Sequence, residues 1–414
     1  MTLPLKGLRV LDFGWVNAGA KGARYLSTYG AEVIHLEWKG RLDILRTTSP
    51  PHVVPGDDTT DSLNRGSSFN NNHSGKWGIS LNMRHPEGKE VFRHLLQISD
   101  VVIENYTATT LERWGFGWQQ LLALKPDIIY VQAPGFGRKG PYSSYRTYGP
   151  TAAAVGGLTA GVGLPDRYPC GYGVSYMDAI GPYFIAMAVM AALRQRQKTG
   201  QGIYVDLSQV GPAILYTGTS VAEWSVNAKA YERSGNRSPH VTASPHGAYP
   251  CEGNDTWVAI ACSTKEHWQA LVEIMGRPSW TDNPIFESLE SRYANQDQLD
   301  RFIGEWTCQY ERYDLMARLQ NAGVPAGVCQ DTRDRYERDA QLKHRGYFVN
   351  VKHSEVPDYD VEGHPGIFSD ADPSPLGSTR WGAACYAEHN SHIYEDLLGL
   401  STNEVADLTV KDAI

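Results

Sequence analysis

Four short apolar runs in the first third of the chain alternate with helix-like stretches, and this alternation limits the possible folds more than any other feature of the sequence. The runs lie at residues 8–13, 32–36, 100–103 and 128–132. A helix-like stretch at 19–29 separates the first two runs and ends at Gly30, because glycine readily takes the left-handed conformation found at helix C-termini. A strand, a helix and a second strand within this span are typical of a β-α-β unit. The sequence therefore predicts an α/β fold with a parallel sheet covered by helices.

The length of 414 residues allows two domains with separate hydrophobic cores. We expect a large domain, a linker, a smaller α+β domain, and a second linker with a C-terminal segment that returns to the large domain, at residues 1–210, 211–234, 235–325 and 326–414. The small domain is indicated by a strand-like run at 256–261 and by amphipathic stretches at 267–275 and 299–319. Residues 46–75 are rich in Ser, Pro, Asp and Asn, which predicts a long surface loop.

The composition argues against several classes of partner. With 38 Lys and Arg against 46 Asp and Glu, the net charge of -8 provides no overall positive field to hold a nucleic acid. The longest apolar stretch, 179–193, is shorter than the roughly 18 to 20 residues that span a membrane, so we predict a buried helix and no membrane partner. Six scattered cysteines without a C-x-x-C pair, and thirteen histidines without ligand spacing, predict neither disulfides nor a metal site. No secretory signal pattern opens the sequence, which favours a cytoplasmic location.

The stretch 171–202 is the most informative for chemistry. Pro182 suits the first turn of a helix and Gly200, just after several basic residues, suits its end, so we predict a buried helix of about 16 residues. Asp178 lies just before this predicted start, where free amides and the positive end of the helix dipole favour an ionised carboxylate. A structural N-cap is the simplest interpretation of Asp178. The flanking glycines would also let a ligand approach the backbone, where the carboxylate could act as a nucleophile.

Several long motifs resemble those of the class III CoA-transferases, which include formyl-CoA, carnitine and benzylsuccinate CoA-transferases. The matching stretches are LPLKGLRVLDFGWVNAGAKGARYLSTYGAEVIHLE near the start, KWGISLNMRHPEGKEVF at 76–92, DVVIENYTATTLERWGFGW at 100–118 and RQKTGQG at 196–202. The resemblance implies a Rossmann-like large domain with a parallel sheet and a smaller α+β domain. It also implies a homodimer whose subunits interlock like links of a chain, or a heteromer with a homologous subunit.

The same resemblance implies roles for individual residues. Asp178 falls where the family keeps its catalytic aspartate, which forms an anhydride and then an aspartyl-CoA thioester. Asn17 stands where formyl-CoA transferases carry glutamine, so it is either a second catalytic residue that donates to an oxyanion or a turn residue. Contacts with CoA are implied for Val16, Leu81, Arg84, Asn105, Tyr106 and Arg113. No tightly bound cofactor is implied, because coenzyme A, its acyl thioesters and a carboxylic acid acceptor are substrates.

The loop SPHGAYPC at 244–251 is closer to the dicarboxylate branches of the family than to the glycine run of formyl-CoA transferases. We therefore expect succinyl-CoA as donor and a substituted dicarboxylic acid as acceptor. His246 either faces the acyl site or is a structural loop residue, and we favour the structural role. A racemase of the same superfamily is disfavoured, because its Gly-His-Asp triplet is replaced by Gly149-Pro150-Thr151. An NAD-dependent dehydrogenase is disfavoured as well, because the turn GWVNAGAKGA lacks a G-x-G-x-x-G pattern.

Overall fold

The computed structural model describes residues 3–57, 62–366 and 379–414. Parts of the predicted surface loop and of the predicted C-terminal segment, at 58–61 and 367–378, lie outside the described residues. The chain divides into two compact units. The first contains Met1–Thr159, Gly171–Val226 and Gln341–Ile414, and the second contains Ala160–Cys170 and Asn227–Ala340.

A six-stranded parallel sheet forms the centre of the first unit. Its strands β1 to β6 are Arg9–Phe13, Glu32–Glu37, Trp77–Ser80, Val101–Glu104, Ile129–Gln132 and Ile203–Asp206. They lie in the order β3-β2-β1-β4-β5-β6, with every neighbouring pair parallel. The four predicted strands are β1, β2, β4 and β5, so the predicted α/β fold is confirmed. This order is that of a Rossmann-like sheet, in which ligands bind at the carboxyl ends of the strands near the point where the order reverses.

Helices cover both faces of this sheet. Side chains of each strand point alternately to either side, so apolar side chains on both faces are buried under helices. The helices α1 to α10 are Ala18–Thr28, Leu45–Thr48, Ser67–His73, Pro86–Gln97, Thr110–Arg113, Trp118–Leu124, Gly149–Val155, Tyr176–Thr199, Val210–Tyr216 and Gly218–Asn227. Leu11 and Phe13 of β1 pack in a core with α4 and α6. Val10 faces the other core, with α1 and α8. Two of these helices, α9 and α10, occupy most of residues 211–234, where a linker was expected.

The helix α8 begins earlier than the sequence suggested. It runs over 24 residues from Tyr176, not from about Pro182, and ends as predicted at Gly200, whose φ is 69°. Pro182 lies inside the helix, where it removes the one amide that would donate to the carbonyl of Asp178. The N-cap residue is Ser175, so the interpretation of Asp178 as the N-cap is wrong. Close packing of α8 on α1 at Gly22, where a Cβ would lie 2.8 Å from Ile185, helps offset the lost hydrogen bond.

One face of α8 is not covered by the residues that the structure describes. Buried residues on α8 include Ile185 and Val189, but Met187 is 62% exposed and Tyr183 and Met190 are exposed as well. The prediction of a fully buried helix is therefore only partly confirmed. Within the described residues, α8 is the one helix whose length and apolar character would suffice to cross a bilayer. Core helices of soluble proteins share these properties, and α8 packs against α1 and the sheet.

The second unit is a small α+β structure. Its strands β7 to β9 are His246–Pro250, Trp257–Ala261 and Ala326–Val328, and they form an antiparallel sheet in that order. The helices α11 to α14 are Lys265–Ile274, Leu289–Ala294, Gln296–Thr307 and Arg312–Asn321. The amphipathic stretch 299–319 spans two of them, because the Glu311 carboxylate accepts amide hydrogens at a new helix start. Leu271, Ile303 and Leu315 are buried together in a core of their own.

The C-terminal part of the chain packs on the first unit. It contains α15 at Ala340–His344, the hairpin of β10 at Phe348–Val351 and β11 at Tyr359–Glu362, and α16 at Thr402–Val410. Glu362 accepts a hydrogen bond from Lys21 of α1 at 2.7 Å. The Tyr394 hydroxyl donates to the carbonyl of Ser80 at the end of β3. The six cysteines, all among the described residues, are free thiols.

The predicted surface loop at 46–75 is in part buried. Helix α3 buries Phe69, Asn70, Asn72 and His73, and Arg46 is buried as well. A polar composition suggested exposure, but a buried polar side chain is tolerated when it finds a partner. The Arg46 guanidinium finds one in the Glu37 carboxylate at 2.6 Å. The prediction of a long surface loop is therefore only partly confirmed.

Candidate active site

A cavity of about 350 Å³ opens in the first unit at the carboxyl ends of the central strands. Its wall includes Phe13 from β1, Leu36 from β2 and Ala133 just after β5. All eight residues that the sequence marked as site candidates line it: Val16, Asn17, Leu81, Arg84, Asn105, Tyr106, Arg113 and Asp178. The structure thus gathers in one place residues that span more than 160 positions of the sequence. His246, expected to be structural, starts β7 of the second unit, and its Nδ1 lies 2.7 Å from the carbonyl of Asn236.

Asp178 lies in the first turn of α8 and its carboxyl group faces the cavity. The group accepts a hydrogen bond from the Ser175 hydroxyl at 2.5 Å, and the Asn17 amide and the backbone N–H of Gly149 lie near enough to favour its charged form. Burial raises the pKa of Asp178 above its ordinary value, although these donors and the Lys21 ammonium partly oppose the shift. A partly desolvated carboxylate among hydrogen-bond donors is suited to attack an electrophile, because less water must be removed from it.

Gly149 allows the backbone to approach Asp178 this closely. A Cβ at this position would lie 2.0 Å from the Ser175 hydroxyl and 2.7 Å from the Asp178 carboxyl. Any other residue would therefore push these groups apart. Gly149 is the first residue of α7, so its N–H is among the amides without a partner inside the helix. The N–H is free to serve the carboxylate or an oxyanion formed beside it.

Asn17 belongs to a strained turn between β1 and α1. Val16 has φ 58°, a left-handed conformation that is rare for a β-branched residue. The N–H of Val16 donates to Asp43 at 2.7 Å and its carbonyl accepts from Asn72 at 2.9 Å. Asn105 holds the same turn from the other side, because both ends of its amide bond the backbone of Trp15, at 2.8 and 3.1 Å. The turn is therefore fixed on both sides of the residue that reaches Asp178.

Four arginines line the cavity, and in the part of the chain that the structure describes none of them pairs with a carboxylate. They are Arg41, Arg84, Arg113 and Arg146. Arg113 donates to the hydroxyls of Thr109 and Thr110, and Arg41 stacks over Trp15 at 4.7 Å. Positive groups without counter-charges favour a ligand with several negative charges. Sequence reasoning missed Arg41 and Arg146, because an arginine in a loop carries no signal of which way it points.

A buried network of charges lies behind this turn. The Lys76 ammonium is 2.7 Å from Asp12, and His35 lies between Asp12 at 3.3 Å and Glu37 at 3.6 Å. Burial alone would raise the pKa of Asp12, but Lys76 and His35 lower it to about 2. For His35, burial opposes protonation, yet the nearby carboxylates of Asp12 and Glu37 raise its pKa. Sequence reasoning missed this network, because its members lie on separate strands and helices.

Part of this network has the spacing of a metal site. Oxygen and nitrogen atoms of Asp12, His35 and His73 lie within 4.8 Å of one another. However, the Lys76 ammonium contacts the same Asp12 oxygen that would bind an ion, and it lies 3.3 Å from Nδ1 of His73. The Lys76 ammonium is therefore already the cation of this cluster, and its ion pair with Asp12 balances the negative charge there.

Comparison with known proteins identifies the family. A model of CoA-transferase family III matches residues 5–379. The chain belongs to CoA-transferase family III. It is 30% identical over 411 residues to a succinyl-CoA–D-citramalate CoA-transferase of Chloroflexus aurantiacus, and the match covers 99% of this chain and 98% of that protein. It is 28% identical to the beta subunit of a succinyl-CoA–L-malate CoA-transferase of the same organism, with 100% and 98% covered.

Solved structures agree with this family assignment. The crystal structure of a CAIB/BAIF family protein from Brucella suis is similar with a TM-score of 0.85 at 29% identity. The similarity covers 96% of this chain and 100% of that one. The protein is therefore a CoA-transferase, and the resemblance drawn from its motifs is confirmed.

Proposed function

We propose that this CoA-transferase moves CoA from succinyl-CoA to a dicarboxylic acid through an acylated Asp178. The observation that carries the proposal is the half-buried Asp178 carboxyl on the wall of a cavity that also holds four arginines, none of which pairs with a carboxylate among the described residues. Relatives that match over nearly their full length are named for succinyl-CoA with citramalate or malate. These names support the choice of donor and of acceptor class.

The proposed reaction begins when an Asp178 oxygen attacks the thioester carbonyl of the donor. The carbon–sulfur bond breaks, which gives a mixed anhydride and CoA thiolate. The thiolate then attacks the aspartyl carbonyl of the anhydride, releases the donor acid and forms an aspartyl-CoA thioester. An acceptor carboxylate attacks this thioester, again releasing thiolate and leaving a second anhydride. Attack of the thiolate on the acceptor acyl group forms the new acyl-CoA and restores the Asp178 carboxylate.

Each of these steps passes through a tetrahedral intermediate with a negatively charged oxygen. Asn17 and the N–H of Gly149 already point at the Asp178 carboxyl, and we propose that they donate to the oxyanions formed there. For CoA, we propose that the arginines bind the phosphates. Val16, Leu81 and Tyr106 would line the path of the apolar arm. Asn105 would act on the cofactor through the Trp15 backbone that it holds.

A panel of substrates tests this function. Incubated with succinyl-CoA and dicarboxylic acids that include malate and citramalate, the enzyme is expected to form the acceptor thioester and an equal amount of succinate, without ATP. Acetate serves as a monocarboxylate control and should react poorly. Liquid chromatography with mass spectrometry measures both products. Transfer to monocarboxylates only would contradict the substrate class, and solvent deuterium exchange next to the thioester without any transfer would indicate a racemase instead.

We further propose that the enzyme assembles with a second subunit, as an interlocked homodimer. Large apolar side chains on three helices of the first unit lie in water in the single chain: Met187 on α8, Leu215 on α9 and Trp224 on α10, with Trp224 60% exposed. Several large exposed apolar side chains within one unit favour a protein interface. Since one relative is named as a subunit, a heteromer with a homologous chain is the alternative.

Analytical ultracentrifugation separates these two assemblies. The purified chain is expected to sediment as an active dimer, and Trp224→Glu combined with Met187→Glu should yield monomers. Val410→Glu is the matched control, because Val410 is 87% exposed on α16 and belongs to none of the three helices. A monomeric, inactive chain that gains activity only with a homologous subunit would contradict the homodimer.

A further inference from the structure

Asn72 is a buried polar residue whose role the proposed reaction does not explain. It lies on α3 and is 2% exposed. Its side-chain Nδ2 donates to the carbonyl of Val16 at 2.9 Å and to Oδ1 of Asn17 at 2.6 Å. Asn72 does not line the cavity itself. It therefore contacts the site only through the strained turn that carries Asn17.

These contacts determine which way the Asn17 amide faces. The two ends of an amide have opposite roles, since the oxygen only accepts and the nitrogen only donates. The Val16 carbonyl can only accept, so the atom of Asn72 beside it must be nitrogen. Because this nitrogen donates, the Asn17 atom beside it must be the oxygen. The Asn17 nitrogen is then the end of the amide that faces Asp178.

The position of Asn72 is itself well fixed. Two residues on α3 next to it are tied to other elements of the first unit: the Asn71 amide donates to Glu362 at 2.8 Å, and the ring centroid of His73 lies 4.1 Å from that of His35 on β2. On the far side of the turn, Asp43 accepts the N–H of Val16. Asn72 and Asp43 thus hold Val16 at its carbonyl and at its N–H. Asn72 cannot turn without breaking both of its own hydrogen bonds.

We propose that Asn72 is a positioning residue that sets the polarity of the Asn17 amide, so that Asn17 presents its donor to Asp178 and to the oxyanions formed there. The proposal rests on the proposed function for its catalytic consequence. Without Asn72, either end of the Asn17 amide can face Asp178. The orientation with oxygen against the carboxyl would repel the ionised group and provide no donor.

Asn72→Leu removes the donor while keeping a similar volume. We expect kcat to fall about tenfold or more, since loss of a complete oxyanion donor costs about 10² to 10³ in rate, while KM for succinyl-CoA stays within about twofold. Asn70→Leu is the matched control. Asn70 is equally buried two residues earlier on α3, but its amide donates to the carbonyl of Asn64, away from the cavity. This variant should keep wild-type kcat even if both variants unfold at a lower temperature.

A double-mutant cycle with Asn17→Leu separates positioning from general damage to the fold. If Asn72 acts through Asn17, adding Asn72→Leu to Asn17→Leu should cause no further loss of kcat. An equal loss in both backgrounds, or an Asn72→Leu variant indistinguishable from Asn70→Leu, would overturn the proposal.

A second readout does not require CoA transfer. Carbodiimide labels protonated carboxyl groups, and loss of the Asn17 donor should raise the pKa of Asp178. Labelling of Asp178, followed by peptide mass spectrometry, should therefore extend to higher pH in Asn72→Leu but not in Asn70→Leu. Adding Asn72→Leu to the Asn17→Leu variant should cause no further shift of the profile. If the pH profile of Asp178 labelling does not shift in Asn72→Leu, the positioning role is overturned, even if the wild-type enzyme transfers CoA at a high rate. If the profile shifts but the wild-type enzyme transfers no CoA, only the proposed function is refuted.

Discussion

Asp178→Asn is expected to reduce CoA transfer by roughly 10⁴-fold or more, as removal of a nucleophile does in other enzymes. The asparagine has the same shape and can still meet Ser175 and Gly149, but its amide cannot form the anhydride. Because the wild-type carboxyl is partly desolvated and its pKa is raised, replacing it by a neutral group should not destabilise the fold. Steady-state rates with succinyl-CoA and the best acceptor measure the loss, and thermal unfolding checks the structure.

The matched control for this variant is Asp206→Asn. Asp206 lies at the end of β6 and accepts the N–H of Arg138. It is an acidic residue of the same unit that does not line the cavity. This variant should retain transfer close to the wild-type rate. Near-normal turnover by Asp178→Asn itself would remove Asp178 from the chemistry.

Lys76→Met is expected to lower the free energy of unfolding by about 3–5 kcal/mol, the usual effect of removing one partner of a buried ion pair. The Lys76 side chain is 1% exposed, and its ammonium donates to Asp12 and to the carbonyl of Ala20, both at 2.7 Å. Without it, Asp12 keeps only His35 as a cationic partner in a dry environment. Urea unfolding, followed by circular dichroism, measures the change in the free energy of unfolding from the first unfolding transition.

Lys39→Met provides the comparison for this variant. The Lys39 ammonium lies 2.9 Å from Asp412, but these side chains are 64% and 40% exposed, so its loss should cost under about 1 kcal/mol. Adding Asp12→Asn to Lys76→Met should recover part of the stability, because the unpaired charge is then removed. Equal effects of the two lysine substitutions would show that burial does not make the Lys76 pair special.

The parallel sheet could be predicted because its evidence is local. The buried strands β1, β2, β4 and β5 each contain a short, mainly apolar run, and Gly30 marks the end of α1. The end of α8 was similarly visible at Gly200. Its start was not, because a proline can lie inside a helix whose packing offsets one lost hydrogen bond, as Pro182 does.

The candidate site could be predicted only in part. Asp178 and Asn17 came from motifs that resemble a known family, and the structure places both on the cavity wall. Asn72 could not be found in this way. It lies in a polar stretch typical of a surface loop, and its importance comes from contacts with Val16 and Asn17, 56 and 55 positions away, that exist only in the folded chain. The unpaired state of Arg146 is likewise a property of the fold.

Trapping with hydroxylamine during turnover tests the central claim most directly, because hydroxylamine converts an acyl anhydride or thioester on a carboxyl group into a stable hydroxamate. The enzyme is quenched while it consumes succinyl-CoA, and its peptides are analysed by mass spectrometry. We predict a hydroxamate on Asp178 that is absent without acyl-CoA and absent in Asp178→Asn. A fully active sample that carries no hydroxamate on Asp178, or carries it on another carboxylate, would contradict the proposed acylation.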